Sequence, residues 1–154
     1  MNSQLYDILV HVHSIGRWIL LLLLLIAIFN SLVAGGRPFI KSDNRTGLIL
    51  TITADLMLLI GLALWFMGPF QQIKSSGMSD VMQNSVARFF AVEHEVGMII
   101  ALILIHIGKA QAKKRIADSA KHKRTVIFYL IALIIILISI PWPFLENGTG
   151  RGWF

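Results

Sequence analysis

Residues 18–34 read WILLLLLLIAIFNSLVA, and residues 126–144 read VIFYLIALIIILISIPWPF. Both stretches are apolar around every face of a helix, whereas a barrel strand alternates apolar and polar residues over about ten positions. Outward from these two, further apolar blocks occupy residues 48–70 and 89–107. Each block approaches the roughly 20 residues that carry a helix across about 30 Å of hydrocarbon, and a helix satisfies its own backbone as lipid requires. With 56% hydrophobic residues in 154, the chain is too apolar to hide its surface in one soluble core of ordinary composition. The expectation is an all-α integral membrane protein: a four-transmembrane-helix up-and-down bundle forming one domain over residues 1–154. Its helices are expected at about 13–34, 48–68, 88–111 and 124–143.

The first block resembles a signal peptide in having small residues, Ala34, Gly35 and Gly36, behind it. A positive segment ahead of it is missing, however, with Asp7 the sole charge before Arg17, so it is expected to be retained as a span. The absence of cysteine excludes disulfides, thiolate metal sites and covalent c-type haem attachment. Orientation follows from charge. Arg37, Lys41 and Arg45 lie in the link between the first and second helices. Lys109, Lys113, Lys114, Arg115, Lys121, Lys123 and Arg124 lie in the link between the third and fourth. These links share a side and hold ten of the fourteen basic residues. The positive-inside rule makes that side cytoplasmic and places both termini outside, on a multi-pass membrane protein. The net charge of +6 then reflects topology and anionic headgroups, with no nucleic-acid partner.

Gly35, Gly36 and Pro38 are expected to end the first helix, Gly68 and Pro69 the second, and Pro141 and Pro143 the fourth. QQIKSSGMSDVMQNS reads as an outer loop with room for a short surface helix. Tyr6, Trp18, Trp65, Trp142 and Trp153 read as interfacial aromatics, and Phe154 at the glycine-rich end is placed to dip back into the interface. The six methionines are dispersed core fillers rather than a copper-binding run. No Walker, dinucleotide, nucleophile-elbow or HExxH pattern occurs.

Ionisable groups inside a span are expensive, so each needs a partner, a cavity or a function. The outer cluster joins His11, His13 and Arg17 at the start of the first helix to Glu93, His94 and Glu95 at the start of the third. By the 3.6-residue period, His94 aligns with Ala87, Gly97, Ala101 and Gly108, a small-residue stripe that permits close helix packing or a flat ligand between helices. Three readings compete. The cluster is an interfacial network with Arg17 paired to Glu93 or Glu95, a pair of axial imidazoles for a b-type haem, or a mononuclear metal site. The inner cluster joins Asn30, Ser31, Thr51, Thr53, Asp55 and His106. Asp55 is expected to face the bundle interior, with His106 or Lys109 as partner, as a packing lock, a proton-active pair or part of a second pocket. His106 cannot share an iron with His94, because twelve residues of helix separate them by about 18 Å. His122, in the basic run KHKR, reads as a solvated residue.

The blocks HVHSIGRW, SVARFFAVEHEVGM, HIGKAQAKK, KHKRTVIFYLIALIIILISIPWPF and the terminal GWF resemble small four-helix bacterial membrane proteins, frequent in the Bacteroidetes, catalogued as cytochrome b or cytochrome b-like. The resemblance covers nearly the whole chain, with RFFAVEH and IPWPF its most specific parts. It implies a haem b-binding electron carrier and points to His13, Arg17, Glu93, His94 and His106. One departure stands out: where that pattern often has a histidine ahead of LLIGL, this chain has Asp55 in ADLMLLIGL. The expectation is therefore electron transfer near the outer face, with His13 and His94 as axial ligands, Arg17 on a haem propionate and Glu93 orienting an imidazole. The rivals are an accessory subunit of a larger membrane complex and a small proton- or metal-handling protein that acts as a homo-oligomer. The sequence names no catalysed reaction.

Overall fold

The computed structural model describes residues 3–148. Its elements are all helical, and no strand occurs among the described residues. Helix α1 spans Ser3–Leu32 and α2 spans Lys41–Met67. Two short helices follow, α3 (Pro69–Ser76) and α4 (Met78–Gln83). One turn of helix, α5 (Ser85–Arg88), passes through a π-helical segment, Phe89–Glu93, into α6 (His94–Ala110). Helix α7 spans Asp118–Ser139. Four helical stretches, Gln4–Leu32, Lys41–Ser76, Ser85–Lys113 and Asp118–Ser139, are long and apolar enough to cross a membrane.

The helices run past the apolar blocks on which the expected boundaries rested. α1 begins at Ser3 rather than near residue 13, α2 at Lys41 rather than near 48, and α7 at Asp118 rather than near 124. Hydrophobicity marks what lipid can hold, while helical hydrogen bonding continues wherever side chains permit. At the other end α7 stops at Ser139, short of 143, because Ile140 precedes Pro141 and takes extended backbone, as a residue before proline must. The Trp142 indole N–H donates to the Leu137 carbonyl at 2.8 Å, satisfying a C-terminal acceptor that the broken helix leaves over. Gly35 turns the chain after α1 with a positive φ of 56°. Asp43 then caps α2, accepting from the Ile40 amide at 3.0 Å while Arg37 grips both its oxygens at 2.7 Å. Proline at the first position of α3 suits a turn where no amide partner exists.

Each long helix packs against its sequence neighbours, and α7 closes the ring onto α1. Contacts at both ends make neighbours antiparallel. Trp65 of α2 reaches Ala91 at the start of α6, and Gly47 lies beside Lys109 at the other end. Trp18 meets Trp142 beyond the end of α7, and Ser31 meets His122 at its start. The core is a continuous column including Leu24, Leu50, Ala101, Ile105, Tyr129 and Ile136. Glycines set its tightness: a Cβ added at Gly97 would strike Ser139 Oγ, and one at Gly108 would strike the Tyr129 ring. The outward faces carry Leu22, Phe29, Leu59, Ile103 and Ile138 in the open, an apolar exterior of the kind a bilayer tolerates and water does not.

A candidate cofactor site between two histidines

A cavity of about 860 Å³ opens inside the ring of helices at the end where α3, α4 and α5 lie. Ligand pockets of proteins run to about 300–1,000 Å³, so this one is large enough for a cofactor. Tyr6, Gln72 and Asn84 line its polar end, and Leu20, Ile105 and Ile136 line its apolar depth. His13 from α1 and His94 from α6 both face it, with ring centroids 6.3 Å apart and planes inclined at 67°.

The two imidazoles are held differently. His94 Nδ1 lies 2.7 Å from the Ser139 carbonyl oxygen. A carbonyl can only accept, so Nδ1 carries the proton and the neutral ring has its lone pair on Nε2. His13 Nδ1 is buried with no hydrogen-bond partner among the described residues, which is the state of an imidazole nitrogen that awaits a ligand or a proton donor. Gly61 of α2 lies against that ring, and a Cβ there would stand 3.4 Å from His13 Cε1, at van der Waals contact. Phe89 packs at 5.9 Å from the His94 ring.

His94 is presented by the π turn. A π segment adds a residue to the helix and re-aims everything after it, and such segments recur at functional sites. Its Ala91 carbonyl receives the Trp65 indole N–H from α2 at 2.9 Å, so a bond between helices fixes the turn directly before His94. Neither Trp65 nor Ser139 is visible as a site residue in sequence, because both act through carbonyls that only the packed helices bring within reach.

Arg17 and Glu95 also line the cavity, and the Arg17 guanidinium lies 5.1 Å from the Trp18 ring centroid. Glu93 is turned away: its carboxylate takes the Arg88 guanidinium at 2.7 Å. The orienting bond expected from Glu93 comes instead from Ser139, because adjacent residues of a helix point about 100° apart and Glu93 lies with Arg88 on another face. His11 donates from Nδ1 to the Asp7 carbonyl at 2.7 Å on its own helix.

The small-residue stripe also divides. Ala87 and Ala101 line the cavity, but Gly97 and Gly108 face α7. The inner cluster divides as well. Asp55 meets His106 at 2.9 Å, yet both side chains are about half exposed, 46% and 49%, on the outside of the α2–α6 contact rather than in the interior. Lys109 goes to Asn44 Oδ1 at 2.8 Å. His122 is not solvated: only 2% exposed, it stacks near Phe39 at 4.8 Å with Ser31 Oγ 3.5 Å from Nδ1. Trp153 and Phe154 lie outside the described residues.

Among the described residues no three histidine, aspartate or glutamate side chains converge as a metal-binding set, so what the cavity offers is a pair of imidazoles. No family model, curated protein or solved structure matches this chain.

Proposed function

We propose that this chain is a multi-pass protein of the bacterial cytoplasmic membrane that binds a b-type haem between His13 and His94 and carries electrons near the outer face. The observation that carries the reading is the spacing of the two rings. Two imidazoles on one iron, with ligand distances near ~2 Å, have ring centres roughly 6 Å apart, and these stand 6.3 Å apart on the wall of a cofactor-sized cavity. The fixed tautomer of His94 supports it further. Metal-bound histidines characteristically donate their other ring N–H to a carbonyl or carboxylate, and Ser139 supplies that acceptor. Haem, when bound, supplies one-electron redox chemistry.

The chain's own residues do the holding. His13 and His94 bracket the site, Arg17 offers its charge to carboxylate substituents at the cavity wall, and Leu20, Ile105 and Ile136 exclude water from its depth. Ten of fourteen basic residues lie in the two links at the opposite end, which supports a site toward the outside with both termini on that side.

The test is the absorption spectrum of the detergent-purified protein produced with ample haem supply. A Soret band and a reduced-minus-oxidised difference spectrum of a six-coordinate low-spin b haem are expected. His13→Ala and His94→Ala should each abolish that spectrum while the far-ultraviolet helix signal persists. A colourless wild-type protein, or one whose spectrum survives both substitutions, overturns the reading.

A further inference from the structure

Arg88 and Glu93 stand five residues apart, and their side chains meet: the guanidinium Nε donates to Glu93 Oε1 at 2.7 Å. In an α-helix such a pair points about 140° apart with a rise of about 7.5 Å between them, and the side chains that touch are three or four apart. Here the chain from Phe89 to Glu93 is the π segment. An i→i+5 turn holds one residue more than an α turn, which brings positions 88 and 93 to one side of the helix. The His94 amide donates to the Phe89 carbonyl and makes the same five-residue step in the backbone.

Neither charge has a second choice on its own helix. In α register Arg88 would meet Ala91 and Val92 ahead of it, while Glu93 would meet Phe89 and Phe90 behind it and Val96 and Gly97 ahead. None of these is charged, so the ion pair forms in the π register and is lost in the α register. A second arm of the guanidinium is anchored too: Nη1 donates to the Met82 carbonyl in α4 at 3.1 Å. Val81 of α4, only 1% exposed, packs with Ala87 and Ala91, and Asn84 Oδ1 accepts from the Ala87 amide at 2.8 Å to fix the start of α5. With the turn held at both ends, its surplus residue stays directly ahead of His94. Moved one turn on, past His94, it would leave that imidazole about 100° from its present direction and out of reach of the Ser139 carbonyl that it now meets.

We propose that Arg88 is a positioning residue for His94: by bridging the Met82 carbonyl and the Glu93 carboxylate it holds the π turn in register and so aims the His94 imidazole into the cavity. Trp65 secures the turn from α2 through the Ala91 carbonyl, and Arg88 secures it from the outer surface. The consequence for a cofactor rests on the haem reading above; the register itself does not.

The experiment compares Arg88→Glu, Glu93→Arg and the exchanged pair that carries both changes, each as the full chain in detergent micelles, with and without haem. Amide hydrogen exchange at His94, read against Ile105 farther along α6, reports the π bond without any cofactor. Each single reversal sets like charges five apart and should speed exchange at His94 at least about threefold, the scale of an exposed ion pair, with Ile105 unchanged. The exchanged pair should exchange more slowly than either single reversal, because the pairing is restored although the Met82 bond is not. In the haem-loaded protein the low-spin ferric resonance responds to the angle between axial imidazole planes, 67° between the two rings here. It should shift in each single reversal and move back in the exchanged pair. If a reversal also speeds exchange at Ile105, Glu93→Gln, which keeps the shape and removes the charge, decides by the same measurement. Unchanged exchange at His94 where Ile105 stays protected, or an exchanged pair no slower than the single reversals, overturns the latch. Faster exchange with an unmoved resonance overturns its link to the aim of His94. A wild-type protein that takes up no haem overturns the haem reading instead, and the exchange rates still decide the register.

Discussion

The ring of His94 is anchored by a carbonyl belonging to a helix it does not share, and the ring of His13 rests on a glycine of a third helix. Single positions thus control the site from a distance in sequence. At Gly61 a Cβ fits at ordinary contact distance from His13 Cε1, and a branched longer side chain brings further atoms against the ring. Gly61→Leu should therefore displace the imidazole and abolish or severely reduce the haem spectrum while the helix content by circular dichroism stays unchanged. Full loading of this variant would show that His13 does not need its observed position. Gly97 tests the same idea through packing. A methyl group there meets Ser139 Oγ, close to the carbonyl that holds His94, and overpacking of this kind costs about 1–3 kcal/mol. Gly97→Ala should lower stability by that amount in denaturant titrations of the micellar protein, and an unchanged midpoint would contradict the close α6–α7 contact.

Among the elements, the π turn at Phe89–Glu93 has the largest consequence for the site. An α-helix continued from α5 at 3.6 residues per turn would keep Ala87, His94 and Gly97 near one stripe, which is the reading taken from sequence. The added residue changes the phase of everything after it relative to Ala87 by about 100°; Glu93 pairs with Arg88 outside, while His94 and Gly97, both beyond the turn, meet Ser139 of α7 together. The Trp65 indole N–H on the Ala91 carbonyl is the bond that holds this geometry across α2 and α6. Trp65→Phe keeps the ring and removes the donor. The expected outcomes are a loss of about 1 kcal/mol in stability and, in the haem-loaded protein, a shifted Soret maximum or midpoint potential from a re-aimed His94. A variant with wild-type stability and spectrum would show that the π turn holds itself.

On the scale of the molecule, the four helices form a ring with the large cavity at one end and the basic links at the other. Orientation then decides what the cavity faces. A cysteine at Ala117, in the link ahead of α7, should resist an impermeant thiol reagent applied to intact cells. One at Glu146, exposed near the end of the described chain, should react. The reverse pattern would place the histidine pair toward the cytoplasm and redirect any electron transfer to partners there. A buried column of Leu24, Leu50, Ile105, Tyr129 and Ile136 runs the length of the bundle below the cavity. The site is thus at the end of a packed core, and the solvent-facing loops add only its rim.

Four helices long enough to span a membrane, and no strands among the described residues, follow from the amino-acid sequence by itself. An apolar run without alternation can satisfy its backbone in lipid only as a helix. The residue types of the candidate site, two histidines with an arginine beside them at the starts of the first and third spans, are legible for a related reason: polar groups in such runs are few and conspicuous. Which of those groups meet is decided by tertiary structure. Helix rotation, the phase shift of the π turn and the carbonyl acceptors of neighbouring helices are properties of the packed bundle. They turn His94 to Ser139, Glu93 to Arg88, His122 inward beside Ser31, and Asp55 with His106 outward. A periodicity counted along one helix contains no term for the next.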